Sequence, residues 1–250
     1  MFKVRATVVD VLGDESKYPC HFNYKIGDEI IWTGAEFKGR ICPAILTMLG
    51  QKVQNLYTAG PRYVEPGFYH PFWYAPPSTY DPSLKKFDGI GFKPFLQTIE
   101  DDKYAMSKLR PVNSFKWPPH PERTVSKNIM LTCPDLRTAV LFKLEAFDLA
   151  DDGDSVTYFR RDMSILSKVL PKPGIAVDNI INEFTKEEIE DIYPSLSKML
   201  VSLLVEDLEL MGYLEIKDGN ASVTKKGEAK LKSFIETLSN EEVEALRVEL

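Results

Sequence analysis

Cys20, Cys42 and Cys133 are the residues of this chain best suited to chemistry, and each adjoins a proline: Pro19 before Cys20, Pro43 after Cys42 and Pro134 after Cys133. Proline fixes φ and removes a donor, so each thiol is expected at a rigid corner that holds it in one direction. Cys42 is the strongest candidate. The stretch from Cys42 to Gly50 predicts a helix with Pro43 in its first position, an apolar stripe of Ile45, Leu46 and Leu49, and a stop at Gly50. A thiol at the start of that helix meets unpaired backbone N–H groups and the positive end of the dipole, which favour thiolate. Such a thiolate serves as nucleophile, redox sensor or metal ligand; a small residue buried beside a fixed turn is the structural alternative.

If the three thiols converge, Cys20, Cys42 and Cys133 with His21 or His70 as a fourth ligand would make a tetrahedral zinc or iron site built from separate loops. Cys20 and His21 point to opposite sides of an extended chain, which disfavours His21. His70 and His120 each adjoin proline, a setting for a fixed imidazole in acid–base work, so Cys42 and His70 form the candidate catalytic pair. Gly89 and Gly91 alone do not make a phosphate loop, and neither a serine-nucleophile motif nor a metalloprotease helix motif occurs. Asp151, Asp152 and Asp154 lack the spacing and terminal glutamate of a calcium loop, and residues 148–154 are expected to be a solvated linker.

The elements that must position these groups follow from periodicity. Alternation predicts strands at Phe2–Leu12, Glu29–Thr33, Asn128–Thr132 and Thr138–Phe147, giving a small sheet covered by the Cys42 helix. Residues 61–121 interrupt this pattern with 11 of the 17 prolines, and 13 of the 28 aromatic residues lie between Tyr63 and Trp117. So many prolines exclude long helices, and so many rings predict an ordered wrap, with Tyr69, Phe72, Trp73 and Tyr74 as candidate lining of an aromatic ligand pocket. Beyond it, a helix is expected near Asp162–Leu170. Thr185 with Glu188, and Ser239 with Glu242, are capping boxes that start two more. A long helix spans Leu196 to Met211 and ends at Gly212. A hairpin turns at Asp218 and Gly219, and Thr224 caps a last helix through Ile235.

Charge divides along the chain. Residues 171–250 carry 17 acidic and 9 basic residues, whereas the first 170 carry 20 acidic and 22 basic, so the C-terminal part is a poor gripper of phosphates. With 44% hydrophobic residues and no run near the ~20 apolar residues of a membrane helix, a cytoplasmic protein with reduced thiols is expected.

The segment from Leu208 through Gly212, the Asp218-Gly219 turn and Lys225-Lys226-Gly227 resembles the end of a winged-helix domain. There the Leu196–Met211 helix would be the recognition helix and the hairpin its wing. Its Glu206, Asp207 and Glu209 imply a protein-docking or dimerisation module in place of a DNA reader. The first part resembles a small uncharacterised bacterial three-cysteine family with the pattern C-P-x-G-H-x-x-G-D, then C-P opening a helix, then C-P-D before a last strand. Cys20, Gly27, Asp28, Cys42, Pro43, Cys133, Pro134 and Asp135 match it. His21, Asn23 and Tyr24 depart from it, standing for its proline, glycine and histidine; asparagine tolerates the left-handed backbone such a turn needs.

The expectation is an α+β protein: a cysteine-bearing sheet domain over residues 1–150 with an insertion at 61–121, then a mostly helical winged-helix-like domain over 160–250. Its expected function is to bind a hydrophobic or aromatic small molecule or a partner, as a homodimer. An enzyme acting on such a molecule through a cysteine-bound metal or thiolate is the alternative, and a ligand-sensing transcription regulator the third.

Overall fold

The computed structural model of the chain describes residues 1–13, 15–63, 65–67, 124–126, 129–134 and 138–249. It has the expected α+β architecture. Strands β1 (Phe2–Gly13), β2 (Glu29–Trp32), β3 (Phe37–Lys38), β6 (Ile129–Thr132) and β7 (Thr138–Leu149) form an antiparallel sheet in the order β3-β2-β1-β7-β6. Between β3 and β6 lie helix α1 (Pro43–Ala59) and the short strands β4 (Glu65–Gly67) and β5 (Thr124–Ser126), which pair with each other. Side chains alternate as a half-covered sheet requires: Val4, Ala6, Val8, Phe142 and Leu144 face α1, while Arg5, Lys143 and Glu145 pair across the outer face.

Helix α1 does not stop at Gly50. It runs nine residues further, because Val53, Leu56 and Tyr57 continue its apolar stripe into the same core. Burial of three large side chains outweighs the roughly 1 kcal/mol that an interior glycine costs. The helix ends at Gly60, φ +57°, in a 3-10 turn Gly60–Arg62. A Cβ there would collide with the Phe2 ring, so glycine is needed for packing as well as for backbone.

The C-terminal half is built from α2 (Val156–Val169), β8 (Ile175–Ala176), a 3-10 stretch Val177–Glu183, α3 (Lys186–Glu190), α4 (Lys198–Leu210), β9 (Leu214–Lys217), β10 (Asn220–Val223), α5 (Lys225–Thr237) and α6 (Asn240–Leu246). Its small sheet has the order β8-β10-β9. Both expected capping boxes are present, at Thr185 with Glu188 and at Ser239 with Glu242, and Thr224 caps α5. No helix among the described residues is long and apolar enough to cross a membrane.

The stretch 148–154 is solvated only in its second part: residues 151, 153 and 154 are exposed, whereas Leu149 and Ala150 are buried. β7 continues to Leu149, and Leu149 and Phe2 are buried in the C-terminal core beside Met163 and Leu166. Asp148 accepts from the Tyr213 hydroxyl and, at 2.8 Å, from Lys230; burial pushes its carboxyl up, but these two bonds outweigh it and hold it below the usual range. Arg62 joins the halves a second time through Asp207 and, at 2.9 Å, Glu206 on α4.

Two buried charged residues of α2 serve different ends. The Arg161 guanidinium donates to the carbonyls of Pro194 at 2.9 Å, Glu188 at 2.7 Å and Ile192, so it fastens the turn that leads into α4. Arg161→Met should therefore lower stability by about 3 kcal/mol or more, since it leaves several buried carbonyls unpaired; urea unfolding measures this. Asp162 is 1% exposed and its Oδ1 has no hydrogen-bond partner among the described residues; burial pushes its carboxyl well above the usual range. Because the unfolded chain ionises at lower pH than the folded one, Asp162 makes the protein lose stability as pH rises from the ordinary carboxyl range towards the raised value. Asp162→Asn should remove that loss, seen as a higher melting temperature than wild type at pH 7.5 and a smaller difference at pH 4.5.

Candidate functional site

The loop between β1 and β2 carries the first cysteine, and backbone bonds fix it. Gly27 N–H donates to the Val8 carbonyl and Val8 N–H to the Asp28 carbonyl, both at 2.9 Å, while the Asp28 carboxylate accepts from Lys25 N–H at 2.9 Å. Asn23 stands at φ +56°, and its N–H closes a turn onto the Cys20 carbonyl at 2.8 Å. This left-handed turn, tolerated by asparagine, overturns the expectation for His21. The chain at Cys20 and His21 is not extended, and the turn swings the imidazole back so that its Nε2 lies 3.6 Å from the Cys42 sulfur.

Cys42 is the N-cap of α1, with φ −70° and ψ 128°, and Pro43 follows in the first turn. Its side chain makes no capping bond. The backbone on either side is held by Tyr24, whose hydroxyl accepts from the Cys42 N–H at 2.9 Å and donates to the Arg40 carbonyl at 2.8 Å. Burial raises the Tyr24 hydroxyl above its ordinary range, with the nearby Cys42 and Cys20 adding to the effect, so it stays a neutral donor. Its ring meets Phe142 edge-on at 5.3 Å and Phe22 at 4.9 Å. Arg40 covers Phe22 at 4.6 Å and donates to its carbonyl.

The third cysteine arrives from the other side. Cys133 follows β6, its N–H donates to the Val140 carbonyl at 2.9 Å, and its sulfur accepts from Val140 N–H at 3.2 Å. Thr138 donates to the Tyr18 carbonyl and so ties the start of β7 to the first loop. The result is one cleft of about 110 Å³ lined by Cys20, His21, Tyr24, Cys42, Cys133 and Val140, among others. Cys42, Cys133 and Tyr24 are buried at its floor, Cys20 is half-buried, and His21 and Pro134 are exposed at its mouth. All three thiols are free of disulfides.

Compared with family models, with curated proteins and with solved structures, the chain matches nothing.

Size limits what the cleft takes. Pockets for whole drug-sized ligands begin near ~300 Å³, and a water occupies ~30 Å³ of liquid, so this cleft admits the reacting end of a molecule or a few small groups. Larger clefts exist, of about 650 Å³ beside α6 and about 340 Å³ beside α5, but neither is lined by a cysteine or a histidine. Chemistry, not volume, marks the site. Among the described residues no three His, Cys, Asp or Glu side chains are grouped as metal ligands, although three cysteines and a histidine line one cleft. The expected partner His70 and the ring residues Tyr69, Phe72, Trp73 and Tyr74 lie outside the described residues. Sequence reasoning missed the hydroxyl of Tyr24 as the group that positions Cys42; no local pattern signals a tyrosine that bonds 18 residues away.

Tyr24→Phe should leave the Cys42 N–H and the Arg40 carbonyl without their shared partner in a buried setting. The expected cost is about 2 kcal/mol, measured by chemical denaturation, with a further effect on Cys42 labelling because the start of α1 loosens.

Proposed function

We propose that this chain binds a small apolar molecule through the three-cysteine cleft, with Cys42 as the group that engages it and His21 as the proton partner of that thiol. The observation that carries this reading is the 3.6 Å approach of His21 Nε2 to Cys42 Sγ in a cleft whose other walls include two more thiols. A thiolate, not a thiol, is the nucleophile, and an adjacent imidazole is a common means of making one. The ligand class that fits is an electron-poor apolar compound such as an activated alkene. The Cys42 proton passes to His21, the sulfur bonds to the electrophilic carbon, and the proton is returned to the neighbouring carbon, so no oxidant or reductant is required. Retained as an adduct, this is binding; turned over, it is the enzyme reading.

One observation favours a second reading, in which zinc or iron is held by Cys20, Cys42 and Cys133 with His21. A separation of 3.6 Å is close to the ~3.5 Å sulfur–nitrogen edge of a tetrahedron whose bonds are about 2.3 Å and 2.0 Å. The metal would supply a Lewis acid or hold a thiolate in the cleft. That Cys20, Cys42, Cys133 and Pro134 of the three-cysteine pattern line one cleft supports the family resemblance. For the C-terminal half, the element order and the strand order β8-β10-β9 support the winged-helix resemblance. Lys198 is the one basic residue of α4, against Glu206, Asp207 and Glu209, which favours a protein-facing role over DNA reading.

The test uses N-ethylmaleimide, itself an activated alkene, on native protein purified without chelator, with metal content measured on the same sample. Mapping by mass spectrometry should place the label first on Cys42, and His21→Gln should slow that reaction tenfold or more while the fold persists. First labelling at Cys20 alone, or an unchanged rate in His21→Gln, would sink the thiolate reading. About one zinc or iron per chain with Cys42 protected would favour the metal reading.

A further inference from the structure

Three thiols line one small cleft, yet the capture of an electrophile uses a single sulfur and leaves the other two without a part in it. What they can do depends on how each is held. Cys133 is pinned: its N–H donates to the Val140 carbonyl at 2.9 Å and its sulfur accepts from the Val140 N–H at 3.2 Å, which ties the side chain to the end of the β6–β7 ladder. Cys20 is held differently. It lies on the loop between β1 and β2, and its carbonyl closes the turn with the Asn23 N–H, but its sulfur has no hydrogen-bond partner among the described residues. Its neighbours Pro19 and His21 are exposed, whereas Cys20 is half-buried and packs against the hydrophobic cluster that contains Cys42. The Cys20 thiol therefore faces the cleft and is free to turn within it.

Cys20 and Cys42 meet through His21. The imidazole Nε2 lies 3.6 Å from the Cys42 sulfur, and Cys20 is one residue, about 3.8 Å of chain, from that histidine. A reactive thiolate with a second, mobile thiol beside it is the arrangement in which a sulfenic acid is resolved to a disulfide. Access suits a small oxidant. His21 and Pro134 are exposed at the mouth, and hydrogen peroxide has about the bulk of two waters, roughly 60 Å³, so a cleft of about 110 Å³ admits it.

We propose that this cleft also reduces peroxides, with Cys42 as the thiol that is oxidised and Cys20 as the thiol that resolves it. The step rests on the thiolate character of Cys42 beside His21 proposed for electrophile binding. The Cys42 sulfur attacks one peroxide oxygen, the O–O bond breaks, and the departing hydroxide takes the proton held on His21 and leaves as water. Cys42 is then a sulfenic acid. The Cys20 sulfur attacks the Cys42 sulfur, the S–O bond breaks, and the hydroxyl leaves with the Cys20 proton as a second water. Two thiols have given up two electrons, and one peroxide has become two waters. The disulfide closes Cys42 to electrophiles until a dithiol reduces it by exchange.

Reduced, desalted protein treated with one equivalent of hydrogen peroxide, blocked with N-ethylmaleimide in denaturant and mapped by mass spectrometry without reductant provides the test. One Cys20–Cys42 disulfide should form per chain, the blockable thiols should fall from three to one, and one peroxide should be consumed. In Cys20→Ser peroxide is still consumed and Cys42 accumulates as a sulfenic acid that dimedone traps, while Cys42→Ser should slow the consumption by at least about tenfold. Circular dichroism establishes that each variant is folded. A Cys42–Cys133 bond, a sulfenic acid that persists on Cys42 in the wild type, or three surviving thiols overturns the proposal. If N-ethylmaleimide nevertheless labels native Cys42 first and His21→Gln slows that labelling, electrophile binding stands and the peroxide step alone falls; a Cys42 inert to both reagents removes the two together.

Discussion

The antiparallel pairing of β1 with β7 is the constraint on which the rest of the molecule depends. It runs from Phe2 opposite Leu149 to Gly13 opposite Thr138, with register shifts at Lys3/Val4 and Val8/Asp10 that keep Val4, Ala6 and Val8 on the α1 face despite the bulges. One end of this ladder delivers Thr138 and Val140 to the cysteine cleft. The other end delivers Phe2, Asp148 and Leu149 to the C-terminal core. Both hydrophobic clusters therefore draw on the same two strands, and the chain cannot lose the ladder without losing both cores.

In the cleft, backbone and one tyrosine place the Cys42 thiol. Proline sets the direction of α1, the cap position sets the backbone of Cys42, and the Tyr24 hydroxyl satisfies the one N–H and the one carbonyl that the sharp entry would orphan. Burying a hydroxyl is costly unless it is bonded, and here it is bonded twice, inside a ring cluster with Phe22 and Phe142. His21 then needs only the left-handed turn at Asn23 to reach the sulfur.

What the chain spells out locally was legible in it. The four main strands, the N-cap at Cys42, both capping boxes and the Thr224 cap rest on patterns a few residues long, and each forms within a residue or two of where those patterns lie. Helix α1 overran Gly50 because the deciding quantity, burial of Val53, Leu56 and Tyr57 against the sheet, is tertiary. The short strands β3 and β8 escaped notice for the same reason, since two-residue strands exist only by virtue of the partner they pair with. The convergence of Cys20, Cys42 and Cys133 was a hypothesis from the proline corners, and the fold gathers them. The approach of His21 was missed because extended geometry was assumed where Asn23 bends the chain. Asp148 looked like part of a polar linker, yet its worth comes from Tyr213 and Lys230, 65 and 82 residues away.

The small β4–β5 ladder has a bearing on how such a chain changes over time. Gly67 pairs with Thr124, so two residues far apart in the chain are held side by side in a ladder of their own, separate from the five-stranded sheet. Closing a loop grows dearer only slowly with its length, by about 0.6 kcal/mol for each doubling. The join between residues 67 and 124 therefore acts as a socket. With its two ends pinned by the ladder, the chain between them can change length in evolution at little cost in closure.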